Sequence, residues 1–310
     1  MRQTIAFQAT GFDCSPVTVE VDENGEAPDP ETLPVALLAF ESGPNVVLTL
    51  PLATTDAENM MNAFTQAEPF RQEMGDAGAW DACVRAHPGW THFHLHGWRR
   101  VIERVFGHEC LYYAARDVSG ALDGVLPLVR VRSPLFGHYL VSMPFLNYGG
   151  PLGSEAAVRA LVAHAAAAAD TDGVRLLELR SRLPLPLDLP VSHRKITVLL
   201  DLPADPALLF RTLDAKLRSQ VRRPQKDGVE VRFGVEQVAP FFDVFARHMR
   251  DLGTPTQPRA LFEAIAETFG DDAWFACAWH AGHPVAAGCA LRFGDELEMT
   301  WASSLLSHRR

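Results

Sequence analysis

No apolar run in this 310-residue chain approaches the roughly 20 residues that a membrane span requires. The richest candidate, ALVAHAAAAAD at 160–170, is short and interrupted by His164. The first 26 residues contain no apolar core of the kind a secretory signal needs. Cysteine is sparse: five residues, an odd number, widely scattered and without a C-x-x-C pair. That usage fits a reducing compartment, with thiols serving as small core hydrophobes. Positive charge is also short, with 28 Lys and Arg against 38 Asp and Glu and a net charge of −10, which argues against a general affinity for nucleic acid and against DNA as a partner. Neither a G-x-S-x-G elbow, a P-loop nor an H-E-x-x-H helix occurs, so serine hydrolase, P-loop NTPase and zincin chemistry lack support. The expectation is a cytoplasmic protein with no transmembrane segment.

What is present is a chain with 47% apolar residues, long enough for about two domains. Residues 1–75 read as a small α+β extension: strand-like runs at Val17–Val21, Val35–Phe40 and Val46–Leu50, an acidic Pro-containing loop, and a helix-like segment at 54–66 with Thr55 as N-cap. No motif there carries chemistry. From Trp80 onward the order of elements repeats. Two helices (79–87 and 96–107) precede three strands (108–116, 121–131, 138–146). Two further helices (240–253 and 259–270) precede three more strands (273–280, 284–293, 296–303). In both copies the second helix stops at Phe-Gly, where glycine suits the left-handed position after a helix. The first copy continues through a glycine-containing loop, a helix capped by Ser154, and strands at 174–180 and 193–202. The second copy reaches only its third strand, which is therefore expected to leave an unpaired edge. The chain thus divides into 1–75, a first lobe at 76–203, and a linking helix with an incomplete second lobe at 204–310.

Two segments invite a ligand. Residues 211–226, RTLDAKLRSQVRRPQK, hold six cations against one Asp on an otherwise acidic chain. The segment reads as one helix from the N-cap Asp205 and Pro206 to a stop before Pro224. Leu209, Leu213, Leu217 and Val221 would line a buried face, and Arg211, Arg218 and Arg222 the opposite one, with Lys216 and Arg223 flanking the apolar stripe. Guanidinium forks and a lysine so arranged suit a phosphate. A solvated face paired with Asp201, Asp205 and Glu230 fits the same residues. The loop FLNYGGPLG precedes a helix N-terminus, where free backbone N–H groups can hold an anion and glycines let a ligand come close. Asn147, Tyr148, Gly149 and Gly150 are its candidate contacts, although Gly-Gly-Pro also makes an ordinary tight turn. His92, His94 and His96 alternate, but without Asp, Glu or Cys at ligand spacing they read better as a helix entry than as a metal site.

An antiparallel meander followed by loop, helix and strand is the order of a GNAT-type acyltransferase. HLHGWRRVIERVFGH (94–108), LFGHYLVSMPFLNYGGPL (135–152), KLRSQVRRPQKDGVEV (216–231) and FFDVFARHMRDLGTP (241–255) resemble the FemAB-type transferases, in particular the branch associated with exosortase (PEP-CTERM) systems. The resemblance covers roughly residues 77–305. It implies a mixed α/β (α+β) fold of tandem GNAT-like lobes, here with the second lobe C-terminally truncated. It also implies transfer of an acyl or aminoacyl group, from acyl-CoA or aminoacyl-tRNA, to an amine of a phosphate-bearing cell-envelope or exopolysaccharide precursor, with tRNA as a partner in the aminoacyl case. The basic helix (Lys216, Arg218, Arg222, Arg223) and the glycine loop (Asn147–Gly150) are the implied contacts; no catalytic residue is named. The alternative is a non-catalytic binding or scaffold protein of the same fold.

Overall fold

A computed structural model describes residues 3–7, 43–44, 46–50, 66–69, 77–133, 137–192 and 196–308. In chain order these form β1 (Gln3–Phe7), β2 (Gly43–Pro44), β3 (Val46–Leu50), β4 (Gln66–Pro69), α1 (Ala77–Ala86), α2 (Gly97–Phe106), β5 (Glu109–Arg116), β6 (Leu122–Ser133), β7 (Gly137–Ser142), β8 (Leu152–Gly153), α3 (Glu155–Thr171), β9 (Leu176–Ser181), β10 (Val191–Ser192) and β11 (Ile196–Leu202). They continue as α4 (Pro206–Thr212), α5 (Ala215–Lys226), β12 (Glu230–Phe233), α6 (Val238–Asp251), α7 (Arg259–Phe269), β13 (Ala273–His280), β14 (His283–Phe293) and β15 (Glu296–Ser304), with short 3₁₀ turns between. Two compact units result, one of residues 44–195 and the other of residues 1–43 together with 196–310.

The 44–195 unit is built on one sheet, ordered β10-β3-β9-β7-β6-β5-β4, with β8 paired to β6. β5, β6 and β7 form the expected antiparallel meander. β9 returns parallel to β7, pairing Tyr139 with Leu176 and Val141 with Glu178. A parallel return needs a crossover, which α3 supplies. Ser154 caps that helix, its Oγ accepting from the Ala157 N–H at 3.2 Å. Ala157, Leu161 and Ala165 recur at helical spacing and are fully buried, against Leu126, Leu128, Leu140, Leu177 and Leu179 of the strands. Gly107 closes α2 at φ +65°, the left-handed stop read from Phe-Gly.

The second unit's sheet is ordered β12-β13-β14-β15-β1-β11-β2. The meander β13–β14–β15 again follows two helices, and α6 and α7 cover it through a cluster of rings. Phe241 meets Phe262 at 4.8 Å and Phe275 at 5.4 Å, and Phe262 meets Trp301 at 5.3 Å, each near T-shaped. The third strand of this meander differs from expectation, because it is not left as an edge. β1 lies parallel to it, Thr4 opposite Glu296 and Phe7 opposite Met299, and β11 runs antiparallel on β1's far side. A ladder partner distant in sequence carries no local pattern by which it could be foreseen. The expected strands at Val17–Val21 and Val35–Phe40 lie outside the described residues, as does the expected helix at 54–66 except for its last residue, Gln66, which begins β4, whereas Val46–Leu50 is the strand β3.

The basic segment also departs from its expectation. It is two helices, broken at Leu213 and Asp214. Asp214 restarts the chain as a new N-cap, its carboxylate accepting from the Leu217 N–H at 2.6 Å. Asp205 caps the first helix as expected, accepting from Ala207. The second helix runs through Pro224 to Lys226 rather than stopping before it. Pro224 sits in the last turn, where its missing N–H forfeits one bond, to the Gln220 carbonyl, and its own carbonyl takes the Val229 N–H at 2.9 Å. Neither helix has a buried residue, and Val221, assigned to the buried stripe, is 42% exposed.

Candidate functional site

The glycine loop folds back on its own sheet. Its entry is set by Met143 and Phe145, non-glycine residues at φ +54° and +70°, which turn the chain sharply at the end of β7. The N–H groups of Gly149 and Gly150 both donate to the Arg180 carbonyl, at 3.0 and 2.8 Å. The Arg180 guanidinium donates to the Leu146 carbonyl at 2.7 Å and is held by Glu178 at 2.6 Å. A Cβ on Gly150 would lie 2.9 Å from Ser181 Cα, so glycine is required there by the close approach of β9. Both amides that the sequence offered to an anion thus have a protein acceptor. The N-terminus of α3 is likewise occupied. Ser154 caps it and donates to Asp123, and Glu155 stands in its first turn, so carboxylates already answer the helix dipole. Tyr148 is buried with its ring 6.5 Å from Phe93, and Asn147 is half-buried.

The three histidines line a 3₁₀ turn and the entry to α2 in the same unit. His94 Nδ1 accepts from the Thr91 N–H at 3.1 Å, so its Nε2–H donates to the Gly150 carbonyl at 3.0 Å. Complete burial pushes this imidazole down to about 4, which keeps it neutral. Trp98 Nε1 donates to His92 Nδ1 at 3.1 Å, and Asp81 accepts from the His96 backbone N–H at 2.8 Å. The His94 imidazole thus braces the glycine loop at Gly150.

In the second unit the cations differ in their attachments. Arg218 donates through Nη1 to the carbonyls of Arg211, at 3.2 Å, and Leu213, which the helix break leaves without intrahelical donors. Arg222 stacks over Phe210 at 4.8 Å, and Arg223 lies 3.8 Å from Asp227. Lys216 is exposed and has no partner among the described residues. Lys216, Arg222 and Arg223 therefore present charge to solvent, while Arg218 fastens one helix to the next. The basic helix and the glycine loop lie in different units.

β15 carries a group of residues that the sequence reading passed over. Opposite β14, Cys289 pairs with Trp301 and Ala290 with Met299, so Thr300 is an extra residue, a β-bulge. Glu298 faces Leu291 and Trp301 faces Cys289, and Cys289 and Leu291 share a face. Glu298, Trp301 and Ser303 consequently lie on the face that α6 and α7 cover. Glu298 is 2% exposed, Thr300 7% and Ser303 7%. The described pairing with β1 reaches Met299. Past the bulge β15 stays paired to β14 as far as Ser304. A β-bulge of this kind re-aims side chains and leaves the extra residue out of the ladder. The sequence signal was the set of polar residues in ELEMTWAS, which strand alternation alone does not explain.

Residues 211–308, which include this bulged strand, match the profile of the acetyltransferase (GNAT) domain family. The chain as a whole is similar to the structure of FemX, with a TM-score of 0.53 at 13% identity, over 79% of this chain and 81% of that one. The fold is GNAT-like. It is a mixed α/β fold in which two helices and a three-strand meander occur twice. More distant likenesses are to L-PGS from Bacillus licheniformis (TM-score 0.42, 13% identity, 79% of this chain and 71% of that one) and to a tandem GNAT protein from the clavulanic acid biosynthesis pathway (TM-score 0.41, 14% identity, 79% and 80%). No curated protein sequence matches the chain. Among the described residues of this GNAT-like chain, no helix is long and apolar enough to cross a membrane.

Proposed function

We propose that this protein is an N-acyltransferase that moves an acyl or aminoacyl group from a thioester or ester donor to a primary amine. The observation that carries the reading is the bulge at Thr300, on the third meander strand inside the GNAT-matching segment. An extended donor laid beside that bulge would meet the backbone that the extra residue leaves out of the β14 ladder, held in place by the sheet. The amine attacks the acyl carbon, a C–N bond forms and the C–S or C–O bond breaks. The amine loses its proton and the departing thiolate or alkoxide gains one. Fixed donors at the carbonyl oxygen stabilise the tetrahedral oxyanion without reorganising.

The acceptor is a phosphate-bearing precursor of a cell-envelope or exopolysaccharide polymer, in keeping with the FemAB-type resemblance and its exosortase-associated branch. Lys216, Arg222 and Arg223 contact the phosphate, and Arg218 holds the helices that present them. Acyl-CoA and aminoacyl-tRNA are the candidate donors, and both are made in the cytoplasm, where the protein acts. The test is incubation with acetyl-CoA, or with alanyl-tRNA, and an amine-bearing nucleotide sugar. The expected result is acceptor-dependent release of free thiol or of deacylated tRNA. Absence of release from both donors across a panel of amines would overturn the reading.

A further inference from the structure

β12 pairs with β13 and stands at one end of its sheet's strand order. All four of its residues are exposed. Val231 is 57% exposed and Phe233 63%, and Trp274, on the same face of β13, is 44% exposed. Single exposed apolar residues are ordinary, but a cluster of them at a sheet edge marks a surface that another strand can take. The phase of the backbone bonds tells which groups this edge offers. The Gly234 N–H donates to the Phe275 carbonyl at 3.1 Å, in step with the register that sets Phe233 opposite Ala276. Hydrogen-bonded pairs recur at every second residue of an antiparallel ladder, so Arg232 and Glu230 also bond toward β13. Val231 and Phe233 therefore turn their N–H and C=O groups outward. Glu230 and Arg232 share the other face, 3.3 Å apart, with the Arg232 guanidinium over the Trp279 ring at 4.7 Å.

We propose that β12 is a self-complementary interface, on which a second copy of this chain lays its own β12 antiparallel about a two-fold axis at Val231. Outward-facing residues must meet outward-facing residues for bonds to form, and this register sets Val231 against Val231 of the partner subunit. It also sets Glu230 opposite Arg232 of the partner subunit on both sides of the axis, in the pairs whose side chains come closest. The neighbouring registers of the same phase set Arg232 against Arg232 or Glu230 against Glu230, like charges that oppose pairing. Charge thus selects one register and one partner, another copy of this strand. The exposed Val231 and Phe233 of both copies then fall on one face. Such a contact uses the same patch on both chains and closes at two, which leaves no free edge to extend. The inference is independent of the acyl-transfer reading.

The test is sedimentation velocity of the full chain from about 1 to 100 μM, a range that brackets a micromolar association. Wild type is expected to pass from 34.1 kDa to twice that mass. Glu230→Arg and Arg232→Glu each set like charges opposite one another and are expected to weaken the association about tenfold or more. An equimolar mixture of these two variants is expected to restore it, because opposite charges then face each other across unlike chains. Val231→Pro removes an outward N–H at an edge position that tolerates proline, and is expected to abolish the association. Thermal melting checks that each variant folds, and if Val231→Pro does not, the charge variants and their mixture decide. Wild type that stays monomeric, or that grows beyond two chains, overturns the inference. So do single charge variants that associate as wild type does, and a mixture that stays monomeric.

Discussion

Arg218 illustrates how a side chain's role depends on backbone that the sequence does not display. Its guanidinium bonds the carbonyls of Arg211 and Leu213, which lack donors only because the helix breaks at Asp214. Arg218→Ala is therefore expected to lower stability by about 1 kcal/mol, a partly exposed charged hydrogen bond being weaker than a buried one. Lys216→Ala combined with Lys226→Ala should leave the urea midpoint unchanged and weaken binding of a phosphate-bearing nucleotide sugar several-fold. A destabilised lysine pair alongside an indifferent Arg218 variant would reverse this assignment. The concentration of charge in 211–226 was legible in the sequence. The division between fastening and presenting cations was not, because it follows from where the carbonyls end up.

At the scale of elements, the meanders, the paired helices before them and the Ser154 cap were all readable, because each is written in local pattern and turn chemistry. The glycine loop was read as a place where a ligand comes close or as an ordinary tight turn, and the close approach seen in the structure is that of β9. Gly150→Ala should cost about 2 kcal/mol, since its Cβ would meet the Ser181 Cα at 2.9 Å and the Arg180 carbonyl oxygen at 3.0 Å, backbone that has no rotamer by which to yield. Chemical denaturation of the variant checks this, and an unchanged midpoint would mean that β9 can retreat. The bulge on β15 was beyond sequence reading for a related reason. ELEMTWASS alternates imperfectly, and only pairing against β14 shows that Thr300 is the surplus residue. The long-range partners β1 and β4 left no local signal either.

For the molecule as a whole, buried neutral histidines tie stability to pH. His94 is held at about 4 by burial, against an ordinary value near 6.5, and burial also lowers His96, His108 and His164. As pH falls through 6.5 the unfolded chain takes up protons that the native state refuses, so stability present above that value is lost progressively toward pH 4. His94 alone accounts for about 3 kcal/mol of this, at 1.36 kcal/mol per unit. Urea unfolding should give a clearly lower free energy at pH 5 than at pH 7.5, and His94→Gln should flatten the difference. Asp81, raised by burial, acts in the opposite sense nearer pH 4, so the comparison is best made above pH 5. A wild-type midpoint indifferent to pH over this range would show that His94 is protonated in the native state.

The pairing of Thr4 with Glu296 has a consequence for the order in which the chain acquires its shape during translation. The 44–195 unit is continuous and can close while later residues are still being made. The other unit needs a strand synthesised among the first residues and a strand synthesised among the last. At about 5–20 residues per second, β1 leaves the ribosome roughly fifteen to sixty seconds before β15 exists to receive it. Until β11 is made it lacks both of its partners, and for the rest of that interval it has β11 alone, so what keeps it from the wrong sheet edge is a matter of timing as much as of sequence.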